Sequence, residues 1–141
     1  PHPLAGIFHG YTYTGHPLAC AVALANLRIV QEENLPANAA EVGTYFQQRL
    51  RELAGTQPLI GDVRGRGLML AIELVKDRKT REAFAPNDPI GKKLVEGARS
   101  RGMIIRFTAG KIIISPPLIF TRAHVDEAIA ILGDTLAAAA D

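Results

Sequence analysis

The stretch Phe8-His9-Gly10-Tyr11-Thr12-Tyr13-Thr14-Gly15-His16-Pro17 gathers more chemically capable side chains than any other part of the 141-residue sequence. Glycines let a backbone approach a ligand closely, hydroxyls donate to oxyanions, and the positive end of a following helix favours negative charge. Together these make a candidate anion site, suited to a phosphate. The same residues support a plainer arrangement, in which Thr14 and His16 cap the helix and the tyrosines pack. His9 and His16 could ligate a metal, but no nearby carboxylate or cysteine completes a set, so no metal is expected.

Arg106 is the second point of interest because it interrupts the apolar run Met103 to Phe107. In a strand covered on both faces a guanidinium needs a partner, and a ligand carboxylate held by both arms of its fork is one. The alternative is a strand end in water. Arg64 and Arg66 alternate with Gly65 and Gly67, which could set two cations on one strand face or could be a structural bulge with exposed or salt-bridged arginines. Lys76 to Glu82 carries mixed charges and reads as a solvated loop. Ser115-Pro116-Pro117 could bring backbone near a ligand, and equally could just stop a strand.

Elements must position these groups. From Pro17 to about Glu33, Leu18, Val22, Ala25 and Ile29 fall at helical spacing, with Pro17 suited to a first helical position. A second helix is expected over about Pro36 to Ala54, with Val42, Phe46, Leu50 and Leu53 on its apolar stripe and Gly55 at its end. Between Leu59 and Lys76 the period shortens to two strands, or to one strand with a glycine bulge. A loop follows to Pro89, then a helix from about Asp88 to Arg101 closed by Gly102. Met103–Phe107 and Lys111–Ser115 flank Thr108-Ala109-Gly110 as a hairpin. The last helix should start near Thr121 and bury Val125, Ala128, Ile129 and Leu132. The order α, α, β, β, α, β, β, α gives a small sheet covered by helices, in the α+β class.

Composition excludes several roles. Hydrophobic residues make up 48% and charged residues 21%, as in a globular chain, and the length suits one core. Sixteen Lys and Arg against 14 Asp and Glu leave a net charge of +2 without long basic runs, so no nucleic-acid partner is expected. No apolar stretch approaches the roughly 18 residues of a membrane span, and no membrane partner is expected. The single cysteine, Cys20, lies in an apolar stretch, where a buried, inert thiol and a reducing, cytoplasmic location are expected.

The segment Phe8 to Leu27, with its HisGlyTyrThrTyrThrGlyHisPro run and small-residue helix, closely resembles the pyridoxal-phosphate-dependent class III aminotransferases of fold type I. Asp62 to Leu74 resembles the family's Val-Arg-Gly-x-Gly-Leu-Met strand, and Gly102 to Leu118 its Gly-x-Ile-x-Arg strand, hairpin and Ser-Pro-Pro turn. The resemblance covers almost the whole chain. It implies that residues 1–16 are a cofactor-phosphate-contacting loop of the large domain, 17–35 a connecting helix, and 36–141 the C-terminal small domain, with helices on a small, mainly antiparallel sheet. It further implies that Thr12, with Tyr11 alongside, donates to the phosphate of pyridoxal 5'-phosphate held by the neighbouring subunit of a homodimer. Arg106 matches the arginine that, in members similar to omega-amino acid:pyruvate aminotransferases, holds the substrate carboxylate and swings away for an uncharged amine.

The resemblance also implies that the Schiff-base lysine, the acidic partner of the pyridine nitrogen and the stacking aromatic lie upstream. Lys76, Lys79, Lys92, Lys93 and Lys111 stand in none of the family's lysine contexts. No catalytic residue is therefore assigned here, and the chain alone is expected to hold the cofactor weakly and not to transaminate. The implied activity is transfer of an amino group from an amine or omega-amino acid to a keto acid such as pyruvate. An aminomutase or decarboxylase on the same scaffold, or a non-catalytic α+β binding module, are the alternatives.

Overall fold

The structure is a computed structural model that describes residues 10–140. The chain divides into two compact units, Pro1–Asn34 and Leu35–Asp141, each described by itself.

Among its described residues, the first unit contains a turn and one helix. Helix α1, Pro17–Glu32, starts where the sequence places it, with Pro17 inside its first turn and His16 as the N-cap. A proline fits there because its missing amide would have no acceptor in the helix. The helix stops at Asn34, whose φ of 49° is left-handed, a conformation asparagine tolerates better than most residues. No side chain of α1 is buried; Leu18, Val22, Leu24, Leu27 and Ile29 are all exposed.

The second unit is an α+β layer pair. Helix α2 spans Leu35–Thr56, strands β1 Ile60–Arg66 and β2 Met69–Leu74, helix α3 Ile90–Ser100, strands β3 Arg106–Thr108 and β4 Lys111–Ile114, and helix α4 Arg122–Ala140. The strands form one antiparallel sheet in the order β1-β2-β4-β3. Residues 59–76 are thus two strands, and the irregularity in their ladder falls between Ile60 and Asp62, at Gly61, rather than at Gly65. Gly67, at φ +54°, opens the two-residue connection between the paired Arg66 and Met69, where the mirror-image turns that match strand twist need a positive φ. In the second hairpin both connecting residues are left-handed, Ala109 at 46° and Gly110 at 74°.

Alternation sorts the sheet. Leu70, Ile72, Leu74, Ile112 and Ile114 point to one face and are buried with Val42, Phe46 and Leu50 of α2, Leu94 and Ala98 of α3, and Val125, Ile129, Leu132 and Leu136 of α4. The stripes read from the sequence for α2 and α4 are therefore the core faces, with Leu53 half-buried at the margin. Thr121 caps α4 as expected: its Oγ1 accepts the His124 amide at 3.3 Å, and His124 Nδ1 accepts the Thr121 amide at 3.2 Å.

Several boundaries differ from expectation, α3 starting at Ile90 rather than near Asp88. Helix α2 continues through Gly55 to Thr56, since a glycine in a last, exposed turn has nothing to break against. Strand β3 begins only at Arg106, whereas Met103–Phe107 was expected. Its ladder with β4 ends at the Arg106–Ile113 pair, and beyond Ile114 the partner segment reaches Pro116 and Pro117, which cannot donate. Met103 to Ile105 therefore run without a ladder.

Candidate functional site

Thr12 occupies the second position of a tight turn. The Thr14 amide donates to the Tyr11 carbonyl at 2.9 Å, and Thr14 Oγ1 accepts the Tyr11 amide at 2.8 Å, so residues 11 and 14 are clasped from both sides. Among the described residues, neither the hydroxyl nor the amide of Thr12 has a partner, and the residue is exposed. Gly15, at φ +77°, redirects the chain; the His16 amide then donates to the Tyr13 carbonyl at 3.1 Å, and His16 Nδ1 accepts the Ala19 amide at 3.4 Å.

Of the two roles open at positions 14 and 16, only His16 caps the helix; Thr14 braces the turn instead. The tyrosines are largely exposed. Tyr11 is 74% and Tyr13 80% exposed, with the Tyr13 ring edge-on to His16 at 6.4 Å. Free donors stand one turn ahead of a helix N-terminus whose first turn has no acidic residue. Such an arrangement suits an anion with several acceptor oxygens, and a phosphate fits it. His9 lies outside the described residues. Among those described, no three His, Cys, Asp or Glu side chains converge as a metal site.

Arg106 belongs to the second unit, on the edge strand β3. Register settles which way it points. Phe107 pairs with the buried Ile112, so Arg106 and its partner Ile113 face the opposite side, which no helix of this unit covers. Of the two settings open to Arg106, a strand covered on both faces and a strand end in water, the second is observed. Arg106 is exposed and, among the described residues, has no hydrogen-bond or ion-pair partner. Arg64, Ala71, Ile113 and Arg106 form one row across the helix-free face.

Arg64 and Arg66 do share that face, as their spacing allows, but they differ in state. Arg64 Nη1 lies 2.6 Å from Asp62 Oδ2, and its Nη2 lies 2.5 Å from Glu73 Oε2. The bond to Asp62, then that to Glu73, holds its guanidinium still more firmly protonated. That cation is already neutralised. Arg66 is exposed with no partner among the described residues.

The loop after β2 is solvated, as its mixed charges indicate, but it is tied down. Asp77 Oδ1 accepts the amides of Lys79 at 2.6 Å and Thr80 at 3.0 Å, and these bonds, Thr80's foremost, lower its pKa. Arg78 Nε donates to the Ile60 carbonyl at 2.7 Å, and its Nη2 to the carbonyl of Ala54.

A cleft of about 520 Å³ opens beside β3 and the turn after β4. Ile105, Arg106, Pro116, Phe120, His124 and Glu127 are among its walls, so the Ser115-Pro116-Pro117 stop also borders a cavity. His124 and Glu127 were not singled out from the sequence. The signal available was the Thr-x-x-His spacing at the start of α4, which places residue 124 over its own cap. Asn38 Nδ2 fixes the approach to α4 by donating to the carbonyls of Leu118 at 2.7 Å and Phe120 at 3.1 Å.

The expectation for Cys20 is corrected, whereas the lysines stand in the loop, helix and hairpin settings read from the sequence. Cys20 is exposed, not buried, because α1 has no buried side chain at all. The lysines offer no buried amine: Lys76 pairs with Asp88 at 3.7 Å, Lys92 with Glu96 at 3.9 Å, Lys111 donates to the Ala109 carbonyl at 3.1 Å, and Lys79 and Lys93 are exposed. No helix among the described residues is long and apolar enough to cross a membrane.

Known proteins resemble the chain along nearly its whole length. A putrescine–pyruvate aminotransferase of Pseudomonas aeruginosa is 45% identical over 123 residues, 86% of this chain and 26% of that protein. A mitochondrial gamma-aminobutyrate transaminase of Oryza sativa is 38% identical over 135 residues, 96% of this chain and 26% of its own length. An (S)-enantioselective omega-transaminase structure from Thermomicrobium roseum shares 44% identity at a TM-score of 0.88, covering 96% of this chain and 30% of that one. The structure of an amine transaminase from an uncultivated Pseudomonas species, in a PLP-bound form, shares 43% at 0.88, covering 94% and 30%. The chain spans about a quarter of the length of the curated relatives it matches. The family model for class-III aminotransferases matches residues 2–136, and the chain belongs to that family.

Proposed function

We propose that these residues form the C-terminal part of a pyridoxal 5'-phosphate-dependent aminotransferase that moves an amino group from an amine or omega-amino acid to a keto acid such as pyruvate. Residues 1–16 serve as the cofactor-phosphate loop, 17–35 as the connecting helix and 36–141 as the small domain. The lysine that bonds the cofactor lies outside these 141 residues. The enzyme works as a homodimer in the cytoplasm, with Thr12 and Tyr11 reaching the cofactor of the other subunit.

The observation that carries this reading is Thr12, a hydroxyl and an amide without acceptors at the tip of a clasped turn ahead of a helix start. The hydroxyl and amide hold the phosphate, and hydrogen bonds to an ionised group are about twice as strong as neutral ones. When bound, the cofactor supplies an electron sink for the amine-bearing carbon. Arg106, free on the helix-free face, binds the carboxylate of the keto acid or amino acid and orients it. Its exposed position on an edge strand lets the side chain move aside for an uncharged amine. The names of the relatives, a putrescine–pyruvate aminotransferase and gamma-aminobutyrate transaminases, support a terminal amine as donor.

The test uses the full-length protein with the cofactor and pyruvate. Pyruvate-dependent consumption of a terminal amine, with alanine formed in equal amount, is expected. Thr12→Val should weaken cofactor retention about tenfold or more, the scale of losing one charged hydrogen bond of about 1.5–3 kcal/mol. No amino transfer to any keto acid, or retention untouched by Thr12→Val, would overturn the assignment.

A further inference from the structure

Thr12 is as useful as its placement is fixed. Gly10 has no heavy atom within 4 Å of where a side chain would start, Gly15 is left-handed at φ +77°, and the whole segment is exposed. Among the described residues, a side-chain hydrogen bond ties this segment together: Thr14 Oγ1 accepts the Tyr11 amide at 2.8 Å. That bond and the Thr14 amide to Tyr11 carbonyl bond at 2.9 Å run in opposite directions across Thr12 and Tyr13.

We propose that Thr14 is the positioning residue of the phosphate turn: its hydroxyl oxygen pins the Tyr11 amide and so presents the Thr12 hydroxyl and amide together to the cofactor phosphate. This rests on the reading of Thr12 as a phosphate donor. Thr14 itself acts through Thr12 and not on the phosphate. A hydroxyl accepts through a lone pair, so the role needs an oxygen at that position and not the methyl group beside it. Serine can replace it; valine, of nearly the same shape, cannot.

The experiment measures cofactor dissociation from the full-length holoenzyme for four variants: Thr14→Val, Thr14→Ser, Thr12→Val and the Thr12→Val/Thr14→Val pair. Thr14→Val should weaken retention about three- to tenfold, the scale of one net hydrogen bond. Thr14→Ser should restore it to within about twofold of the parent. The double variant should lose less than the full product of the two single losses, because Thr12→Val removes the hydroxyl that Thr14 positions and leaves only the amide. Retention unchanged by Thr14→Val, or weakened as much by serine as by valine, would overturn the proposal. A double variant weaker by the full product of the two losses would also overturn it, by putting Thr14 on the phosphate. If Thr12→Val weakens retention and Thr14→Val does not, only the positioning role fails. If Thr12→Val has no effect, the phosphate reading itself fails.

Discussion

Helix α2 contains two glycines at which the same substitution should have opposite signs. At Gly43 a Cβ would stand 2.2 Å from both the carbonyl carbon and oxygen of Gly67, and 2.5 Å from its Cα. Those atoms are backbone in the turn that joins β1 to β2, so they cannot swing aside as a side-chain tip would. At Gly55, in the last turn of the same helix, nothing lies within 4 Å. Replacing a helical glycine by alanine gains about 0.5–1 kcal/mol from reduced backbone freedom. Overpacking costs about 1–3 kcal/mol, and an unyielding backbone neighbour puts Gly43 at the upper end. Gly43→Ala should therefore destabilise by about 2 kcal/mol net, and Gly55→Ala should stabilise by up to about 1 kcal/mol. Amide hydrogen exchange in the full-length protein reads this locally. Exchange from β1 and β2 should accelerate about 30-fold in Gly43→Ala, since 1.4 kcal/mol is a factor of ten, and should not accelerate in Gly55→Ala. Equal protection in the two variants would refute the close contact between α2 and the hairpin.

Ala109, at φ +46°, occupies a position better suited to asparagine; Ala109→Asn should stabilise the β3–β4 hairpin by about 0.5–1 kcal/mol, read as slower exchange of the Thr108 and Lys111 amides. The Asp77 carboxyl is lowered by the amides of Thr80 and Lys79, so its contribution to the 77–80 turn is fully present above the ordinary carboxylate range near pH 4 and is lost as pH falls through its lowered value. Asp77→Ala should abolish that acid-dependent loosening, and proteolysis of the loop at pH 3 against pH 6 measures it. Arg106→Gln in the full-length protein should raise KM for carboxylate substrates about tenfold or more while leaving KM for uncharged amines nearly unchanged, which paired steady-state assays separate.

Most of the layer pair was legible because local signals and global packing agree. The Val42, Phe46, Leu50 stripe and the Val125, Ala128, Ile129, Leu132 stripe are core faces, and the Thr108-Ala109-Gly110 turn is a two-residue hairpin connection. What the pattern misjudged depends on partners distant in sequence. Met103 to Ile105 are apolar enough for a strand, but the segment opposite them runs into Pro116 and Pro117. Alternation left Arg106 either between covered faces or at a strand end in water, because it says nothing of which face the helices take. Cys20 read as buried from its apolar neighbours, while burial is set by what packs on a helix, and no side chain of α1 is buried. At the candidate site the residue types were visible and their division of labour was not. Thr14 and His16 looked equivalent as caps, and only the geometry separates the brace of the turn from the cap of the helix.

The most direct measurement is a crystal structure of the full-length protein with pyridoxal 5'-phosphate bound. The account predicts Thr12 Oγ1 at about 2.5–2.8 Å from a phosphate oxygen of the cofactor held mainly by the partner subunit, with the Tyr11–Thr14 clasp intact beneath it. Thr12 beyond hydrogen-bond reach of that phosphate in both subunits would contradict it.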